Sequence, residues 1–333
     1  MLLRCLVLGY ITALNIAILG RGEGIAGTAR GSPVNDPLYP RQNSYLEAIN
    51  VPGAWKRLAS TRVVRKRVTV ALIDTGVKPD HPDLVSNLVE GYNVLSGGHD
   101  THDREGHGTE MAGILGATIN NTEGIAGVMD LVNIMPIFEG NTEYQILLDA
   151  ALDYVITARE ARDIKFILMA CSDDKIYDYF KDRIKQADQA GILMIVTAGN
   201  MGKNITTEKR YPCALSEQLD GVLCVGATEQ SRMKLASFSN FASYVDVAAP
   251  GVNIMTTGND VNYKTMPGTS PASAIVAGVV AMLYSLAPDL TPGDVKKIIK
   301  GTSKKGLKDS TGKVVLPFGR IDADKALAKL IPR

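Results

Sequence analysis

The chain has 333 residues, 45% hydrophobic and 21% charged, enough to bury one large α/β core or two ordinary ones and too apolar for a disordered chain. Its 36 basic and 35 acidic residues leave a formal charge of +1. No basic run alternates with aromatics, which argues against a nucleic-acid partner.

Residues 1–29 read as a signal peptide: Arg4 opens it, an apolar stretch runs from Cys5 to Leu19, and small residues near Ala26 to Ala29 offer a cleavage point. About 15 apolar residues fall short of the roughly 20 that a spanning helix needs, which favours secretion over an uncleaved anchor. Residues 30–333 then form one domain. Its densest basic stretch, Arg62 to Arg67, reads as a solvated turn ahead of a strand.

Short runs rich in Val and Ile at 68–73, 132–137, 164–169, 192–197 and 222–225 predict strands buried on both faces. Helical windows fall between them, at 142–159 and 175–189. This alternation predicts a three-layer α/β/α fold around a mostly parallel central sheet. In such sheets ligands gather at the carboxyl ends of strands, where Asp74 and Asn200 fall. His107 and Ser270 each open a helical run of small residues, at 108–116 and 271–287. Cys213 and Cys224 flank a turn that returns into the run at 222–225; in an oxidising compartment they form a bridge, and otherwise two buried thiols. Cys171 is then left over.

Only four histidines occur, and only His107 has glycine on both sides. Glu110 lacks the second histidine of a His-Glu-x-x-His zinc site, so that chemistry is excluded. Asp74, His107 and Ser270 supply the carboxylate, imidazole and hydroxyl that make a nucleophile of a weak alcohol. Each alone reads as a cap or turn former. Capping, however, requires neither their chain order nor separations of 33 and 163 residues with Asn200 between the last two.

Carried by VALIDTG around Asp74, GHGTEMAG around His107, Thr197-Ala198-Gly199-Asn200, and GTSPASAIVAG around Ser270, residues 35–330 resemble the subtilisin-type serine proteases. The resemblance implies a subtilisin-like fold and an endopeptidase in which Ser270 forms an acyl-enzyme, His107 moves the proton, Asp74 orients the imidazole and Asn200 donates to the oxyanion. It implies a monomer acting on protein or peptide substrates and open to protein inhibitors, without stable membrane association. A different class of function is a catalytically silent relative that binds peptides in the same cleft.

That alternative is motivated by departures around the intact triad. Ala170-Cys171-Ser172 stands where relatives carry Ser-Leu-Gly, and Phe138-Glu139-Gly140-Asn141 replaces a Gly-rich edge. Glu110 stands for a second histidine and Pro271 for the usual Met after the nucleophile. Alignment on Tyr211-Pro212 puts Arg210 at the floor of the primary pocket, where an acidic or small substrate residue would be favoured. The resemblance also implies a structural calcium ion held by Asp36 and Asp83 carboxylates, the Asn121 amide oxygen and the carbonyls of Ile119, Glu123 and Ile125. Of two glycosylation sequons, Asn204 is the better acceptor, because Asn120 lies in that metal loop.

Overall fold

Along the first strand, side chains alternate between two cores: Val68, Val70 and Leu72 enter one, Ala71 and Ile73 the other. A strand buried on both faces must lie inside a sheet covered on both sides. The structure, a computed structural model, describes residues 32–140 and 145–331. Residues 1–29 and Asn141 fall outside that range.

The strands are β1 (Val68–Asp74), β2 (Tyr92–Asn93), β3 (Val132–Phe138), β4 (Ile164–Met169), β5 (Leu193–Thr197), β6 (Val222–Thr228), β7 (Val247–Pro250), β8 (Ile254–Thr257), β9 (Tyr263–Met266) and β10 (Gly319–Arg320). Eight form one sheet in the order β10-β7-β6-β5-β4-β1-β3-β2, with every pairing parallel. β8 and β9 form a separate antiparallel hairpin. Helices α1 (Asn43–Ala48), α2 (Val51–Ser60), α3 (His107–Gly116), α6 (Thr269–Leu286), α7 (Pro292–Thr302) and α8 (Ala323–Leu327) contribute to the first core. α4 (Gln145–Ala158) and α5 (Asp178–Gln189) cover the opposite face. This is the three-layer arrangement that the sequence predicts.

Strand order reverses at β1, which has β3 on one side and β4 on the other. The crevice outside the carboxyl ends of the strands at such a point is where α/β folds bind ligands. Asp74 is the last residue of β1, and Asn200 follows β5 by three residues.

α6 departs from an ordinary surface helix: 16 of its 18 residues are buried, and it has no polar stripe. By length and composition it could cross a membrane, yet 89% of it lies inside the protein, where it serves as the central core helix. The helix begins at Thr269, so Pro271 is its third residue, still within the turn whose N–H groups have no intrahelical acceptor. Cys213 and Cys224 are disulfide-bonded, with Cα atoms 4.9 Å apart, tying the turn at 213–217 to β6; Cys171 stands outside the bridge.

Candidate active site

The site is assembled from the ends of three elements. The buried Asp74 carboxylate faces His107, with Oδ1 2.8 Å and Oδ2 3.0 Å from the ring Nδ1. Oδ1 also accepts the Thr75 N–H at 2.8 Å. A carboxylate on Nδ1 assigns the ring proton to that nitrogen and leaves the Nε2 lone pair to act as base. The approach of α3 to β1 depends on glycine: a Cβ on Gly108 would lie 2.0 Å from the Gly76 carbonyl oxygen and 3.2 Å from the Asp74 Cβ.

Asp103 holds this geometry, and sequence reasoning missed it. Buried and carboxylate-armed, it accepts from the Glu105 and Gly106 N–H groups and the Thr75 hydroxyl through Oδ1, and from the Thr109 N–H and hydroxyl through Oδ2. It thus satisfies donors at the start of α3 that the Gly106 cap cannot. The available signal is an Asp three residues before the glycine that opens a helix.

Ser270 is the second residue of α6, and its hydroxyl lies 3.4 Å from the Ala170 carbonyl oxygen at the end of β4. Gly268, at φ 147°, caps the helix in a backbone region that favours glycine. Free N–H groups and the positive end of the helix dipole therefore converge where negative charge would develop on a carbonyl attacked by Ser270. The Asn200 side chain is oriented by its oxygen: Oδ1 accepts the Thr269 N–H at 2.8 Å and the Thr269 hydroxyl at 2.9 Å. Its Nδ2 is thereby turned away from Thr269. The turn beneath is shaped by buried Asn240, also missed, which accepts from Met201 and Lys203 N–H groups and donates to the Ala198 carbonyl. The structure thus brings Asp74 against His107 and Asn200 against the residue preceding Ser270.

The walls follow. Ala170, Cys171 and Ser172 continue β4, with the Cys171 carbonyl accepting the Thr197 hydroxyl at 3.1 Å. Across the cleft the Glu139 N–H donates to the Asp74 carbonyl at 3.3 Å. Arg210 turns inward, half-buried, and its guanidinium donates to Ser172. Glu110 pairs with Lys264 of β9.

The Asp36, Asp83 and Asn121 side chains expected to hold calcium are engaged by N–H donors of the 120–125 loop. Both Asp36 oxygens accept the Asn120 N–H; Asp83 accepts the Asn121 Nδ2–H at 2.8 Å and the Ile125 N–H at 2.9 Å. The Asn121 oxygen is taken by the Glu123 N–H at 2.9 Å. Tyr263 closes the loop, donating to Glu123 at 3.2 Å, and its ring packs so closely that a Cβ on Gly124 would lie 2.0 Å away. Burial raises the Asp36 carboxyl above its ordinary value and pushes Asp83 up to about 6. A hard cation needs about six to eight oxygens turned to one centre. Here N–H groups from Asn120, Asn121 and Ile125 point at the carboxylates instead, so the Asp36, Asp83 and Asn121 side chains do not fit calcium as arranged. Asn204 is exposed, its Oδ1 accepting from the Thr206 N–H and hydroxyl.

Fold and site together define a serine endopeptidase of the subtilisin type. The profile of the Subtilase family matches residues 65–319, and the chain belongs to that family. It is 33% identical over 258 residues to the thermophilic serine proteinase of Bacillus sp. (strain AK1), covering 78% of this chain and 61% of that protein. Thermitase of Thermoactinomyces vulgaris is 29% identical over 293 residues, 88% of this chain and 98% of its own. A solved structure of a protease from Pseudoalteromonas arctica superposes with a TM-score of 0.76 at 27% identity, covering 90% of this chain and all of that one.

Proposed function

We propose that the chain is a secreted endopeptidase that hydrolyses peptide bonds in proteins and peptides through an acyl-enzyme on Ser270. In this reading the Ser270 Oγ attacks the scissile carbonyl while its proton passes to His107 Nε2. Asp74 stabilises the imidazolium, and the oxyanion accepts from Asn200 Nδ2 and the N–H groups opening α6. Collapse of the tetrahedral intermediate breaks the C–N bond, and the proton held by His107 goes to the leaving amine. Water repeats the sequence on the ester and frees Ser270.

The observation that carries this reading is the two-oxygen contact of Asp74 on His107 Nδ1. A fluorophosphonate probe tests it: covalent labelling of the wild type but not of Ser270→Ala is expected. A folded wild type that takes no label would instead make the chain a silent peptide-binding relative. Secretion is supported by the apolar segment within 1–29 and by the Cys213–Cys224 bridge, a bond that persists in oxidising compartments. There Asn204, exposed within its sequon, is the glycan acceptor. The enzyme acts as a monomer, its partners being protein or peptide substrates and protein inhibitors that occupy the same cleft.

A further inference from the structure

The segment after β4, whose Ala170 carbonyl lies 3.4 Å from the Ser270 hydroxyl, is continued by a pairing that forms the floor of the proposed slot. The Asp173 N–H donates to the Tyr211 carbonyl and the Tyr211 N–H to the Asp173 carbonyl, both at 2.8 Å, so residues 210–212 lie against the continuation of β4. Arg210 is anchored on this floor by its own N–H, 3.3 Å from the Tyr244 hydroxyl. Its side chain then runs to Ser172, with Nη2 3.0 Å from the carbonyl oxygen and Nε 3.4 Å from Oγ. Ser172 in turn reaches the other wall: its Oγ lies 2.9 Å from where a Cβ on Gly199 would stand, one residue before Asn200. The guanidinium is therefore attached to one wall of the slot at the point where that wall meets the other.

Among the described residues its charge has no ion-pair partner. Arg57, Arg65 and Arg183, also partly buried, each pair with an aspartate. Arg210 makes no ion pair among the described residues, and neighbouring Lys209 is matched by Glu217. Of the five N–H donors of a guanidinium, Ser172 engages two. A half-buried planar cation with spare donors is suited to bind a carboxylate through two parallel hydrogen bonds. An apolar side chain in the same slot would strip water from that cation and return nothing.

We propose that Arg210, positioned by Ser172, makes this an acid-selective protease that takes a substrate carboxylate, Glu or Asp, at the residue preceding the scissile bond. The inference rests on the reading of Ser270 as nucleophile, and its test separates the two. Chromogenic peptides identical except for Glu, Asp, Gln, Leu or Phe at that position are cleaved by the wild type with kcat/KM for the acidic residues about 100-fold above Gln. Arg210→Ala abolishes that ratio, whereas Arg210→Lys, which keeps the charge but loses the fork, retains part of it. Binding is measured in parallel on Ser270→Ala, with product peptides ending in Glu or Gln, where the Glu peptide binds at least about tenfold tighter. Wild-type preference for Phe or Leu, or equal binding of the Glu and Gln peptides, overturns the proposal whatever the variants do. Preserved Glu binding without fluorophosphonate labelling leaves the acidic pocket standing and removes the hydrolytic reading.

Discussion

An amide side chain is useful to an oxyanion only if its NH2 end faces the reaction, and here Thr269 decides that. With the Asn200 oxygen held by two Thr269 donors, rotating the amide would sacrifice both hydrogen bonds. Asn200→Ala is expected to lower kcat by about 10²–10³-fold with little change in KM, a figure taken over from subtilisin itself, the archetype of this family. Thr269→Val keeps the backbone donor and removes only the hydroxyl, a loss of about 1 kcal/mol of orientation or roughly fivefold in kcat. Steady-state kinetics on both variants check this. A fall in affinity at constant kcat would show that Asn200 holds substrate rather than the transition state.

At the scale of elements, His107, the proposed base, is carried on a helix clasped by a hairpin. The Thr256 and Thr257 hydroxyls of β8 donate to the Glu110 and Thr109 carbonyls of α3, and Lys264 of β9 pairs with Glu110. Gly113 permits that contact, since a Cβ there would lie 2.2 Å from the Thr257 hydroxyl oxygen. Gly113→Ala is therefore expected to push α3 from the hairpin and destabilise the fold by about 1–3 kcal/mol, lowering activity as well. Urea unfolding midpoints with kcat on the same preparations test it, and an unchanged midpoint would refute the clasp. None of this hairpin was legible in the sequence. Strands buried on both faces announce themselves by runs of Val and Ile, so β1, β3, β4, β5 and β6 were foreseen to within a few residues. Strands of two to four residues, and a hairpin with an exposed face, carry too little pattern. Asp74, His107, Asn200 and Ser270 stand out in the sequence because the chemistry proposed for them fixes their types and order. Asp103 and Asn240 were not, because a residue that orients a loop is recognised by its partners, which lie far off in the chain or appear only on folding.

For the molecule as a whole, the loop at 119–125 shows how the segment that begins near Asp36 is fastened. In this arrangement Asp36 and Asp83 accept N–H donors from Asn120, Asn121 and Ile125. EDTA is expected to leave the melting temperature unchanged, while Tyr263→Phe, which removes the phenol from Glu123, lowers it. A fall in melting temperature with EDTA, reversed by added Ca2+, would restore the expected cation. The burial of α6 has a further consequence, because a chain that cuts peptide bonds is also its own substrate. Hydrogen bonds and side chains of α6 become available to another enzyme molecule only when the whole sheet opens. Autolysis must therefore begin at the periphery, and as long as it stays there the segment carrying Ser270 outlasts the rest of the chain.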